Sequence, residues 1–322
     1  MTVEFHVPLP APLDVCGSLE LFRRSGDDLI DRWDGADLLR AVPHGPGWVP
    51  FVATARARLE APGFTVSIGD GCGAEAVRAA VASTFVPAPD DYARLLSQDP
   101  VLAALDARLP GIRQIRQLDL FTALVRCISA QQVNLRWAAI TRRRLAEAFG
   151  TRYEVCGRVV YALDPRRIAR VDPADIRALQ FTTSKAVSLV ATARAIVEDD
   201  GLSAEALGRL TDEDVISRLV RIRGIGRWSA EWVLARTLGR PRVVGGDLGV
   251  RKAVGLAYLS TPAPSEAEVR AATAHWGDAA GAAQALLLHA HGEGALSPPD
   301  VRPTSRSSAR VAVGRTSADR LP

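Results

Sequence analysis

The chain has 322 residues, of which 48% are hydrophobic, a mean hydropathy of +0.05 and a formal charge of +4. It is long enough to bury a core in two or three domains. It holds no run approaching the roughly 20 apolar residues that a bilayer crossing needs, and its start, MTVEFHVPLPAPLDV, lacks the charged-then-apolar order of a secretory signal. The expectation is a monomeric cytoplasmic protein with no membrane partner.

Cys16, Cys72, Cys127 and Cys156 stand far apart without a C-x-x-C pair. Neither zinc nor an iron–sulfur cluster is indicated, and the thiols are expected to be reduced. The histidines are equally scattered; the one close pair, His289 and His291, falls at an expected helix end. Lys185 and Lys252 are the only lysines, so nearly every cation is an arginine. Residues 218–252 carry eight Arg and Lys252 against Glu231 and Asp247, and residues 113–144 carry seven Arg against Asp119. Such local excess suits a polyanion, although an arginine-rich chain also uses arginine as its ordinary solvated cation.

In chain order, residues 1–87 mix periods. Ser18 to Arg24 reads as a helical turn, whereas Trp48 to Arg58 and Phe64 to Ile68 read as extended segments between Pro/Gly breaks, together an α+β module. From Pro89 to about Leu296 nearly every segment has helical periodicity, punctuated at Pro110-Gly111, Gly150, Pro165, Pro173, Gly201 and Gly224. This predicts a helical bundle with short connections. Residues 297–322 are rich in Ser, Arg and Pro, with too few apolar side chains to offset the entropy of ordering them, and are expected to form a disordered basic tail.

Residues 211–239, TDEDVISRLVRIRGIGRWSAEWVLARTLG, contain the most informative pattern. Thr211 with Asp214 forms a capping-box candidate, and Val215, Ile216, Leu219, Val220 and Ile222 supply the apolar stripe of a short helix. Gly224-Ile225-Gly226 then permits positive φ and close backbone approach, and Arg227 opens a second helix. The amides of such a helix-hairpin-helix and the N-terminus of its second helix make a seat for a phosphate oxygen, to which the Ser229 hydroxyl can contribute. A dinucleotide-binding loop is the rival reading, with Asp247 near the position of a ribose-binding acid. It lacks the third glycine, and a charged periodic helix stands where a buried strand is required. An αα-corner without a ligand is the plainer alternative.

Asp247 follows Gly245-Gly246 and precedes a helix beginning at Leu248, so an N-cap is its ordinary role. Capping is compatible with chemistry. A carboxylate beside a phosphate-gripping hairpin can face the sugar of an extruded nucleotide and stabilise oxocarbenium-like charge at C1′ as the base leaves.

The hairpin LVRIRGIGRW, followed about twenty residues later by a Gly-rich loop and Asp247, resembles the helix-hairpin-helix/GPD DNA glycosylases. Ile128-Ser129-Ala130-Gln131-Gln132-Val133-Asn134 is similar to the family segment whose side chain fills the gap left by a flipped base, which implies Gln132 as the plug. PLDVCGSLELFRR, residues 12–24, with the α+β module behind it, looks like the extra domain of the bacterial DNA-3-methyladenine glycosylase II family.

The resemblance covers about residues 5–293. It implies a mostly α fold with an N-terminal α+β domain (1–87), one helical subdomain from 88–118 plus 236–296, and a second over 119–235 with the hairpin. The partner is double-stranded DNA with damaged bases, and no cofactor is implied. Asp247 is the implied catalytic residue, with Trp228, Trp232 and Trp276 as pocket walls and Leu21 or Phe22 reaching in from the first domain. Aromatic faces suit a methylated purine that carries positive charge.

Gly224, Gly226, Arg227, Ser229, Arg251 and Lys252 are implied DNA contacts. The carbonyls of Val220, Ile222 and Gly224 are a place for a monovalent cation. The lysine of bifunctional members is replaced by Trp228, which implies hydrolysis without a lyase step. Leu248 stands where an aromatic often follows the catalytic Asp, and the run after Trp276 departs from the family's pattern; both leave the range of excised bases open. A non-catalytic DNA-binding protein built on the same hairpin is the alternative.

Overall fold

The computed structural model describes residues 2–296; the expected tail over 297–322 lies outside the described residues. The protein is mostly helical, with a small α+β part at its N-terminus. There β1 (Val3–Pro8), β2 (Arg32–Trp33), β3 (Asp37–His44), β4 (Gly47–Arg56) and β5 (Gly63–Ile68) form an antiparallel sheet in the order β1-β5-β4-β3-β2. Alternation places Phe64, Val66 and Ile68 of β5 on one face, where they pack with Val15, Leu19 and Phe22 of α1 (Val15–Ser25) and with Val77 and Val81 of α2 (Ala74–Ala82). Asp14 caps α1 by accepting from the Gly17 amide at 2.9 Å.

The helices that follow are α3 (Tyr92–Gln98), α4 (Pro100–Arg108), α5 (Leu120–Ala130), α6 (Leu135–Phe149), α7 (Pro165–Ile168), α8 (Pro173–Ala178), α9 (Thr183–Glu198), α10 (Ala204–Gly208), α11 (Asp212–Leu219), α12 (Arg227–Arg236), α13 (Leu248–Val254), α14 (Glu266–Thr273) and α15 (Ala280–Gly292). Side chains of α5, α6, α9, α11 and α12 share one apolar core, and those of α3, α4 and α13–α15 share another. No helix among the described residues is long and apolar enough to cross a membrane.

The all-helical expectation for residues 89–296 needs one correction. Thr151–Val155 (β6) and Arg158–Ala162 (β7) form a hairpin closed by Cys156 and Gly157, both at positive φ (51° and 70°). Two residues at positive φ are what a type I′ turn requires. The hairpin covers the back of the N-terminal sheet, where Val155 and Val160 pack on Leu39 and Val52.

The sheet module and the helices are also joined by buried charge. Asp28 accepts from Arg142 Nε at 2.8 Å and pairs with Arg126 at 2.8 Å; Asp31 pairs with Arg126 at 2.6 Å and Arg40 at 2.5 Å. Burial alone would raise the Asp28 pKa, but Arg126 and Arg142 more than offset it and bring it from 3.8 to about 2. A depressed carboxylate stabilises the fold above the unfolded pKa and loses that contribution as pH falls through the folded one. Acid unfolding followed by circular dichroism should therefore begin below about pH 4 and deepen towards pH 2. D28N, which takes the only carboxylate from buried Arg142 and leaves Arg126 to Asp31 alone, should cost about 3–5 kcal/mol in urea at neutral pH.

Candidate active site

α11 and α12 are the two arms of the hairpin. The Thr211 hydroxyl caps α11, accepting from the Asp214 amide at 3.3 Å and donating to the Asp214 carboxylate at 2.6 Å. Val215, Ile216, Leu219 and Ile222 face the core as the stripe predicts, whereas Val220 is exposed. Gly224 has φ +83°, and a Cβ there would meet Ser188 Oγ at 2.0 Å, so both the backbone and the α9 contact demand glycine. Gly226 differs: its φ is −102°, and a Cβ would meet nothing within 4 Å. No side chain caps α12, so its first amides have no intrahelical acceptor.

Gln131 ties this turn to the end of α5, its Nε2 donating to the Gly224 carbonyl at 3.0 Å. Gln132 beside it is exposed and held at φ 57°. Of the carbonyls at Val220, Ile222 and Gly224, the last two each already accept one hydrogen bond, from Ile225 N and Gln131 Nε2. Two of the three expected cation ligands are thus already engaged. Among the described residues there is no His/Cys/Asp/Glu group suited to a metal.

The loop after α12 brings Asp247 back to the hairpin. Gln284 Oε1 anchors its start by accepting from the Val244 amide at 2.8 Å, and a turn closes with Asp247 N donating to Val244 O at 2.9 Å. Asp247 caps α13: Oδ1 accepts from Val250 N at 3.1 Å, while Oδ2 accepts from Trp228 Nε1 at 3.2 Å. A carboxylate offers about four acceptor directions, so two remain for a water or a ligand. A Cβ at Gly249 would lie 3.1 Å from Asp247 Oδ1, a tight approach that would push on the carboxylate.

Trp228 and Asp247 are thus brought together, with Trp232 half-buried one turn further along α12. Other expected site residues are not. Trp276 is 2% exposed and sits in the α3–α4/α13–α15 core, edge-on to Tyr258 and His275, so it is a core residue and not a pocket wall. Ser229 is 1% exposed on the inner side of α12 beside Cys127, which removes its hydroxyl as a phosphate donor. Phe22 is buried under Arg40 and Arg126 and lines a 140 Å³ recess with Asp31 and Trp33 that Asp247 does not line. Leu21 is exposed. A roomier 580 Å³ cleft between Leu9–Leu13 and Ala82–Arg116 likewise excludes Asp247.

Arg227 is held by Glu213 and Glu231, and Arg251 donates to the Pro264 carbonyl at 2.7 Å, while Lys252 is exposed. Arg136, Arg221, Arg223 and Lys252 are exposed and have no carboxylate partner among the described residues. Sequence reasoning missed four neighbours: Gln131; Arg236; Cys127, whose thiol burial pushes well above its ordinary pKa; and Lys185, whose Nζ donates to Ser129 O at 2.9 Å.

Residues 125–278, which span the α5 segment, the hairpin and Asp247, match the HhH-GPD superfamily of base excision DNA repair proteins. Over these residues the chain is similar to that superfamily. It is 30% identical over 187 residues to the DNA-3-methyladenine glycosylase of Bacillus subtilis, covering 58% of this chain and 61% of that one. It is 31% identical over 135 residues to DNA-3-methyladenine glycosylase 2 of Escherichia coli, covering 42% and 47%. The chain thus spans about three fifths or less of these relatives. The same fold occurs in a 3-methyladenine DNA-glycosylase from Archaeoglobus fulgidus, with TM-score 0.78 and 22% identity over 89% of this chain and 98% of that one.

The two hairpin glycines should separate in their effects. G224A should lower stability by about 2–3 kcal/mol through strain and the Ser188 clash. G226A should stay within about 0.5 kcal/mol of wild type. Urea unfolding of the two variants checks both.

Proposed function

We propose that this protein is a monofunctional DNA glycosylase that hydrolyses the N-glycosidic bond of alkylated, 3-methyladenine-type bases drawn out of double-stranded DNA. The observation that carries the proposal is the Asp247 carboxylate, fixed by Trp228 Nε1 at 3.2 Å two residues past the open, uncapped Gly226 corner.

The chemistry follows from that placement. The α12 amides and the unpaired cations Arg221, Arg223, Lys252 and Arg136 grip phosphates without regard to sequence. Gln132, projecting from the strained turn after α5, fills the space left by the extruded nucleotide. Asp247 faces the sugar and stabilises positive charge at C1′ as the C1′–N bond breaks; a water held by its free acceptor directions then adds to C1′. A methylated purine already carries positive charge and leaves as a neutral base, so no strong general acid is needed. Trp228 offers that base an aromatic face as well as holding the carboxylate. Two features support a hydrolytic route without a lyase step. The residue after the G-I-G-R turn is Trp228 and not a lysine, and the Lys185 amine is spent on the Ser129 carbonyl.

D247N keeps a good helix cap and removes the charge. Its release of free base from methylated duplex DNA should fall at least about 1000-fold, with duplex affinity nearly unchanged; equal release would refute the proposal. W228F keeps the ring but loses the donor, so base release should fall about tenfold. G226A should bind duplex DNA more weakly in fluorescence anisotropy while remaining folded. A purely DNA-binding protein would respond to G226A alone.

A further inference from the structure

Arg236 ends α12 two turns beyond Trp228. Trp228, Trp232 and Arg236 recur at four-residue intervals and so succeed one another along one side of the helix. The Arg236 guanidinium lies 5.4 Å from the centroid of the Trp232 ring. Several neighbouring arginines are engaged with acids, Arg227 and Arg270 with Glu231, Arg240 with Asp212, and Arg242 with both, while Arg221 and Arg223 lie exposed to solvent. Arg236 is half-buried, yet among the described residues it has neither an ion pair nor a side-chain hydrogen bond.

The group whose charge bears on it is Asp247 from the loop, and the neutral Cys127 thiol of α5 lies nearby. Burial lowers its pKa, and the Asp247 carboxylate opposes that shift. A cation kept out of water without a partner is costly, and such costs concentrate where a ligand supplies the missing partner.

We propose that Arg236 is a specificity-determining residue of the base pocket: stacked on Trp232 beside Asp247, its guanidinium stabilises the negative charge that develops on a neutral lesion as its glycosidic bond breaks. This deepens the glycosylase reading and rests on it. When the C1′–N bond of a neutral base breaks, the electron pair stays with the base nitrogen, which leaves as an anion and takes a proton from solvent; water forms the new C1′–O bond and gives up a proton. When the base is an N-alkylated cation, the same electron pair neutralises it, and only the proton lost by water remains to be carried away. An adjacent guanidinium therefore favours the first transition state and offers nothing to the second.

The test compares single-turnover release by wild type, R236M and R236K from duplexes bearing a neutral lesion (hypoxanthine or ethenoadenine) and from duplexes bearing a cationic one (7-methylguanine or 3-methyladenine). R236M should lose about 100-fold on neutral lesions and change by no more than about threefold on cationic ones. R236K, which keeps the charge, should retain at least about a tenth of the wild-type rate on neutral lesions. Because both readings come from one variant, misfolding would lower them together and cannot mimic the split. Equal loss on both classes, or a wild type that releases only cationic bases, would overturn the role of Arg236 and leave the glycosylase intact. Release of no base by wild type from any duplex would overturn both.

Discussion

The hydrogen bond from the Trp228 indole to Asp247 is the constraint on which the site depends, because it joins two stretches of chain that otherwise have separate reasons to be where they are. One end belongs to the hairpin helix α12 and the other to the loop that starts α13. Capping fixes one carboxylate oxygen through the Val250 amide, and the indole fixes the other. The carboxylate plane is therefore set by backbone geometry on one side and by a packed aromatic on the other. In the proposed reaction that fixity matters, since reorientation of the charge would consume the stabilisation it offers a transient cation.

Behind this contact lies a buried ionic hub. Glu231 of α12 is 1% exposed and meets Arg227, Arg242 and Arg270, which belong respectively to α12, the loop leading to Asp247, and α14. Burial would raise its pKa, but the hydrogen bonds of Arg242 and Arg270 hold it below the ordinary glutamate value. Asp212 adds a second anchor by pairing with Arg240 and Arg242. Much of the arginine surplus near the hairpin is thus structural. The cations left over lie on the exposed rim, where long-range attraction of a polyanion acts.

What was legible in the sequence is what is local. The hairpin was readable because its signals, a cap at Thr211, an apolar stripe and a glycine forced to positive φ by its own turn, all fall within a few residues of one another. Asp247 was readable as a cap for the same reason. The β6–β7 strands were not: Cys156-Gly157 between two β-branched runs carries a turn signal, but the hairpin is held by packing on Leu39 and Val52, distant in sequence. Trp276 and Ser229 were misplaced because residue type says nothing of which side of an element faces outward: Ser229 faces Cys127 of α5, and Trp276 is engulfed by helices distant in sequence. Arg236 could be singled out only from its place on Trp232 and near Asp247, which residue type and spacing do not give.

Cys127 has a consequence for survival among electrophiles. Methylating agents attack thiolates as well as purines, and this sulfur lies directly beneath the hairpin helix. Burial keeps it protonated and out of reach, so a methylating reagent finds no nucleophile under the hairpin helix. The exposed thiols, Cys72 and Cys156, lie on the sheet module and its covering hairpin. A thiol-directed reagent therefore meets Cys72 and Cys156 before Cys127.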